Sequence, residues 1–252
     1  MRHVEFLGVP GSGKSTLARA LTDSSGSGGR LRSLDEAARL GLGRSSRDRL
    51  TRFFARRARS AESRMWKAIY ARAPDRVRAV AGFVTRWPEY VETVVGAQRR
   101  RADRDSDQER VLRWIFELGA KFQVASGALG DDDVLVIDEG FAQRAVAVFG
   151  HGWRPDEEAD LARYVASMPR PDLVFVVDVP LEVCRERLDR SGWPARIAAQ
   201  AAEVRNAYLE AVSDIVRLTT EMLGAVGVAV ERIDGTAPVD AGRIQALRSL
   251  SV

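Results

Sequence analysis

Near the start of the chain, Gly8-Val9-Pro10-Gly11-Ser12-Gly13-Lys14-Ser15 places two glycines, four residues between them, directly before a lysine and a hydroxyl. The run fits G-x-x-x-x-G-K-[ST] at every fixed position, and the chemistry that pattern serves is polyphosphate binding. Glycines let consecutive backbone N–H groups turn inward with no Cβ in the way, and a helix opening there adds partial positive charge. The expected nucleotide contacts are Gly8, Pro10, Gly11, Ser12, Gly13, Lys14, Ser15 and Thr16. Within them Lys14 reaches the β- and γ-phosphates of ATP, and Ser15 offers its hydroxyl to Mg²⁺.

A second chemical element is Val134-Leu135-Val136-Ile137-Asp138-Glu139, an apolar run that ends in two acids. A strand of this kind delivers carboxylates to the C-terminal edge of a parallel sheet, where ligands of such folds bind. Asp138 is the expected Mg²⁺ partner, through a water. Glu139 has three readings: it polarises an attacking nucleophile, pairs with an arginine, or caps the next helix. Arg144 lies one turn into that helix, where it either binds an anionic substrate group or points to solvent.

These residues need a scaffold, and the hydropathy pattern supplies one. His3–Leu7, Val134–Ile137, Leu173–Val177 and Val228–Ile233 are short apolar runs rich in β-branched residues and bounded by turn residues. Such runs read as buried strands. A fifth strand near Arg30–Leu34 is short and charged. Helical patterns lie between the strands, which predicts a doubly wound, mainly parallel α/β sheet of about five strands with helices on both faces. From residue 34 to about 128 the pattern is helical throughout and reads as an insertion within a single domain spanning residues 1–252. Val111, Ile115, Leu118 and Phe122 fall on one face of a helix over Gln108–Ser126. Trp114 and Phe122 are candidates for an acceptor pocket, with an apolar core face as the other reading.

Composition narrows the class. At 252 residues, 45% hydrophobic and 29% charged, the chain has material for a substantial core. No apolar run approaches the roughly 18 residues of a membrane span, and the N-terminus does not read as a secretory signal. The single cysteine, Cys184, excludes an internal disulfide. A cytoplasmic location is the expectation. The basic residues are almost all arginines, dense at Arg44–Arg64 and Arg99–Arg104, where a solvated helix face is the plain explanation. Their lack of aromatic interleaving disfavours a nucleic-acid role. The glycine–serine run Ser24–Gly29 reads as a mobile loop.

With the glycine motif and the acidic strand end placed, the chain resembles the P-loop nucleoside and nucleotide kinases, in particular their thymidylate kinase-like branch. Three further segments carry the resemblance. Pro171–Pro180 is similar to the family's strand and turn before its lid, and Leu181–Arg190 to the lid helix. Val230–Pro238 is similar to its last strand and the loop that contacts adenine. The resemblance implies a lid at about residues 181–197 whose Arg187 and Arg190 stabilise charge on the transferring phosphoryl group. It also implies an acceptor base after the second strand, where Asp35 and Glu36 stand. Ser33-Leu34-Asp35-Glu36 equally fits a capping box, S-x-x-E. Two departures set the chain apart from thymidylate kinases: Val9-Pro10 occupies a place usually acidic, and Asp138-Glu139 replaces an Asp-Arg pair. The loop Gly8–Gly13 is closer to adenylate kinase-type loops.

The implied function is ATP- and Mg²⁺-dependent phosphoryl transfer to a small acceptor: a nucleoside, a nucleotide or another metabolite. The alternative from another class is a regulatory or motor ATPase using Asp138-Glu139 to hold metal and activate water. A GTPase is disfavoured because its N-K-x-D signature needs an asparagine, and the only one, Asn206, precedes Ala-Tyr-Leu. A homodimer remains open on the sequence.

Overall fold

The computed structural model of the chain describes residues 1–23, 30–57, 70, 74–101 and 107–250. The glycine–serine run and the arginine-dense residues 58–64 and 102–104 lie outside these. Five strands, β1 (Arg2–Leu7), β2 (Leu31–Ser33), β3 (Val134–Ile137), β4 (Leu173–Asp178) and β5 (Ala229–Asp234), form one sheet in the order β2-β3-β1-β4-β5. Every pairing is parallel. The short, charged second strand is therefore real, held at the edge by β3.

Alternation along the strands divides the core in two, because successive side chains leave a strand on opposite faces. Val4 and Phe6 of β1, Val134 and Val136 of β3, and Leu173, Phe175 and Val177 of β4 meet Leu17 and Leu21 of helix α1 (Lys14–Asp23). Their neighbours in the strands, Leu7, Leu135, Ile137, Val174 and Val176, join the larger cluster on the other face. Strands buried on both sides must be apolar at nearly every position, which is why β3 is Val-Leu-Val-Ile. Strand β5 closes the other edge with Glu231 and Arg232 partly solvated, a charged rim that discourages further strand pairing.

Between β2 and β3 the described residues form five helices: α2 (Leu34–Ser45), α3 (Arg49–Arg57), α4 (Pro74–Arg86), α5 (Pro88–Arg100) and α6 (Gln108–Ser126). The face predicted for α6 is the buried one, with Val111, Ile115, Leu118 and Phe122 all in the core. Phe122 packs edge-on against Phe141, while Trp114 is only half-buried and faces a cleft. Beyond α5, the fully buried Arg101 reaches Glu157 at 2.6 Å and the Phe149 carbonyl at 2.9 Å. After β3 come α7 (Phe141–Phe149) and α8 (Glu158–Ser167); after β4, α9 (Leu181–Ser191) and α10 (Ala202–Ala225); α11 (Val239–Leu250) ends the fold. Among the described residues no helix is long and apolar enough to cross a membrane.

Candidate active site

Strand β1 ends at Leu7 and the glycine loop follows it into α1. Gly11 and Gly13 have φ of 86° and 92°, a region that costs any side chain, so glycine is required at both. A Cβ on Gly11 would also stand 2.6 Å from the Cys184 carbonyl. Ser12 is buried, and its hydroxyl finds no partner among the described residues. Lys14 is buried at the first position of α1. Burial lowers its pKa below that of an ordinary lysine, and the charges of Glu139 and Asp138 oppose that shift. A desolvated ammonium facing two carboxylates, beside an orphaned hydroxyl and two left-handed glycines, is a cradle suited to a polyphosphate.

Two residues that sequence reasoning passed over hold this cradle in place. Glu5, fully buried in the middle of β1, accepts hydrogen bonds from the N–H groups of Phe141 (2.9 Å) and Ala142 (2.7 Å) and lies 2.8 Å from His3 Nε2. Its carboxylate thus caps the positive end of α7. Gly140 must be glycine, because a Cβ there would stand 2.2 Å from the Glu5 carboxyl carbon. One turn on, Gln143 is buried and accepts from the Gly8 N–H at 3.0 Å. The start of α7 therefore ties the acidic end of β3 to the opening of the glycine loop. The available signal was an acid inside an otherwise apolar strand, together with a glutamine on an apolar helix.

Asp138 and Glu139 stand exposed at the end of β3. Asp138 Oδ1 accepts from the Glu139 N–H at 3.0 Å, leaving its other oxygen open. Glu139 pairs with Arg144 at 3.0 Å, and the Arg144 guanidinium lies over the Trp114 ring at 5.3 Å. Of the three readings of Glu139, arginine pairing is the observed one.

Ser15, Asp138, Glu139 and Arg144 share one cleft of about 710 Å³. The cleft continues away from the glycine loop to Asp35, Glu36 and Arg39 of α2 and to Trp114, Glu117 and Lys121 of α6. Asp35 pairs with Lys121 at 2.7 Å, and Lys121 also reaches Glu117 at 3.1 Å. Burial alone would lower the Lys121 ammonium, but the two carboxylates outweigh it and raise its pKa. Glu36 pairs with Arg32 at 2.7 Å, and its N–H is capped by the Ser33 hydroxyl at 3.3 Å. Of the predicted capping box the Ser33 half is present, while the Glu36 side chain goes to Arg32, and both acids face the cleft. Of the eight expected nucleotide contacts, Ser15 alone is in the cleft lining; Thr16 is exposed, Pro10 is half-buried, and Ser12 and Lys14 are buried.

Helix α9 lies where the lid helix was expected, with Cys184 and Leu188 buried. The partners of its Arg187 and Arg190, and of Arg196 beyond it, are protein groups. Arg187 donates to the carbonyls of Gly11 (3.3 Å), Ser12 (3.3 Å) and Gly235 (3.0 Å), so it braces the loop from behind. Arg190 is exposed and donates from Nε to its own helix at Glu186 (3.2 Å). Arg196 donates to the Ala147 carbonyl at 3.2 Å and lies 3.4 Å from Asp107. Each arginine reaches the acceptor that its position brings near: loop backbone for Arg187, its own helix for Arg190, and helix α7 and Asp107 for Arg196. A second hollow, about 560 Å³, lies at the C-terminal ends of β4 and β5 beside Asp178, Pro180, Arg232, Asp234 and Thr236.

A divalent metal fits this site. Ser15 and Asp138 offer hard oxygen donors, and no cluster of three or more His, Cys, Asp or Glu suited to a metal occurs among the described residues. Oxygen donors of this kind are those Mg²⁺ takes, together with waters and phosphate oxygens.

No family model matches the chain, and no curated protein matches it. Among solved structures it is similar to deoxyadenosine kinase from M. mycoides with bound dATP, at 11% identity and a TM-score of 0.47, covering 99% of this chain and 100% of that one. The same enzyme with dCMP and dCDP gives 10% identity and a TM-score of 0.45, covering 99% and 98%. Both are deoxyadenosine kinase structures, not thymidylate kinases. Likeness of that degree transfers neither an activity nor a residue's role.

Proposed function

We propose that the protein transfers the γ-phosphoryl group of ATP to a hydroxyl of a small acceptor bound in the cleft. The observation that carries this reading is the cleft's extent. It starts at Ser15 and Asp138 and continues past Glu139 to Asp35, Glu117 and Lys121, leaving room for a molecule beyond the phosphates. An ATPase needs space only for a water there.

In this reading the loop N–H groups and Lys14 hold the phosphates, and Lys14 meets the charge that grows on the transferring group. Ser15 and Asp138 would hold Mg²⁺, which when bound neutralises phosphate charge. The hollow beside Pro180 and Thr236 would take the base of ATP. Asp35, half-exposed in the first turn of α2, faces the acceptor from the far wall of the cleft. Glu139 orients Arg144 against Trp114.

The exposed Asp138-Glu139 pair favours the second reading, an ATPase in which Glu139 activates water. Its engagement with Arg144 weighs against that. Measuring ADP release with ATP and Mg²⁺, with and without a pool of hydroxyl-bearing metabolites, separates the two. The kinase reading expects release to depend on the pool; equal release without it would leave the ATPase.

A further inference from the structure

We infer that the acceptor is a polyhydroxyl compound carrying a protonated amine and no phosphate, an amino sugar or aminocyclitol by chemical class; this rests on the phosphotransferase reading above. The far wall of the cleft already shows how it handles an ammonium. Lys121 Nζ sits between Asp35 Oδ1 (2.7 Å) and Glu117 Oε1 (3.1 Å), two carboxylates to one cation. Neither acid has another hydrogen-bond or ion-pair partner among the described residues, so Asp35 Oδ2 and Glu117 Oε2 remain open. Both side chains are about two-fifths exposed, at 40% and 39%. An ionised carboxylate only accepts hydrogen bonds. The unused oxygens therefore select a ligand rich in donors, and their surplus negative charge favours a cationic one.

The same wall is poor at receiving an anion. Arg144 is neutralised by Glu139 and lies against Trp114, and Lys121 is doubly engaged. Two cleft cations have no carboxylate partner among the described residues: Arg39 on this wall, which gives one N–H to the Ala55 carbonyl, and Arg19 on α1. Over the whole cleft six carboxylates face four cations. A phosphate monoester taken up by Lys121 would draw it off two carboxylates and leave them uncompensated, which is costly. Bound ATP adds further negative charge nearby, and an amine on the acceptor is attracted to it.

The test is phosphoryl transfer and equilibrium binding with the full chain and five probes: glucosamine, a deoxystreptamine aminoglycoside, the N-acetylated form of each, and a nucleoside 5′-monophosphate. N-acetylation removes the charge and keeps every hydroxyl. The amines are expected to bind in the presence of a non-hydrolysable ATP analogue, with Kd rising about tenfold or more on acetylation. In Asp35→Asn/Glu117→Gln, amine binding weakens by about tenfold to a hundredfold. ATP binding and the circular dichroism of that variant stay as in the wild type, which separates lost recognition from lost folding. Equal binding of amine and N-acetyl forms, no binding of either amine, or preferred transfer to the monophosphate would each overturn the inference. The last would leave the kinase reading standing and point to Arg39. Acceptor-independent ADP release in every mixture would remove the kinase reading itself.

Discussion

On its outer side the glycine loop is bonded at almost every turn. Arg187 holds the Gly11 and Ser12 carbonyls, the Cys184 carbonyl packs against Gly11, and Gln143 takes the Gly8 N–H. On its inner side the polar groups are buried without such bracing or stand at the cleft: the Ser12 hydroxyl with no partner among the described residues, the desolvated Lys14, and the exposed acids Asp138 and Glu139. A loop fixed from behind keeps its N–H groups aimed when phosphate arrives, so little ordering has to occur at binding. Residues of similar chemistry thus do different jobs on the two sides, and substitution distinguishes them.

The largest effect should come from the inner side. Lys14→Ala is expected to lower turnover by about 10²–10³-fold, the loss typical of one preorganised electrostatic contact, with the fold retained. Steady-state kinetics and thermal melting together check this; a folded variant with near-normal turnover would take the lysine out of the site. Asp138→Asn comes next. It should raise the Mg²⁺ concentration for half-maximal activity by about 10–100-fold while metal-free nucleotide binding changes little. An unmoved Mg²⁺ titration midpoint would exclude Asp138 from the metal.

The outer side should behave differently in kind. Arg187→Ala loosens the loop, so ATP KM rises by about tenfold, with kcat changed much less. Arg187→Lys should recover only part of that, because an ammonium cannot span carbonyls of two loops as a planar guanidinium does. Added guanidinium should restore ATP affinity to the alanine variant. A fall in kcat at unchanged KM would instead place Arg187 over the transferring phosphoryl group. The smallest effect belongs to Arg190. Exposed and, among the described residues, bonded only to its own helix, it should change turnover by about twofold or less when replaced by alanine. A tenfold loss of turnover at unchanged ATP affinity would restore it as a lid residue.

The sequence alone determined the sheet, the cradle and the acidic strand end. Each is written in neighbouring residues: a doubly buried strand must be apolar throughout, a helix face recurs every third or fourth residue, and a polyphosphate loop needs glycines at fixed spacing. Where that local signal was weakest, at β2, the strand was legible only as a doubtful fifth. The destinations of long side chains were not legible. Glu5 looked like one acid in a short strand until α7 was seen to place its first N–H groups against it. Arg187 has the right residue type for a lid, yet only the packing of α9 decided that its guanidinium would meet loop carbonyls. Asp35 on α2 is far in sequence from Glu117 and Lys121, which sit one turn apart on α6, and only the closure of α2 against α6 made them one wall. Charge recognition acts over a few ångströms in space, whereas periodicity acts over a few residues of chain. The elements could therefore be read in advance, and the partners of their side chains came only with the fold.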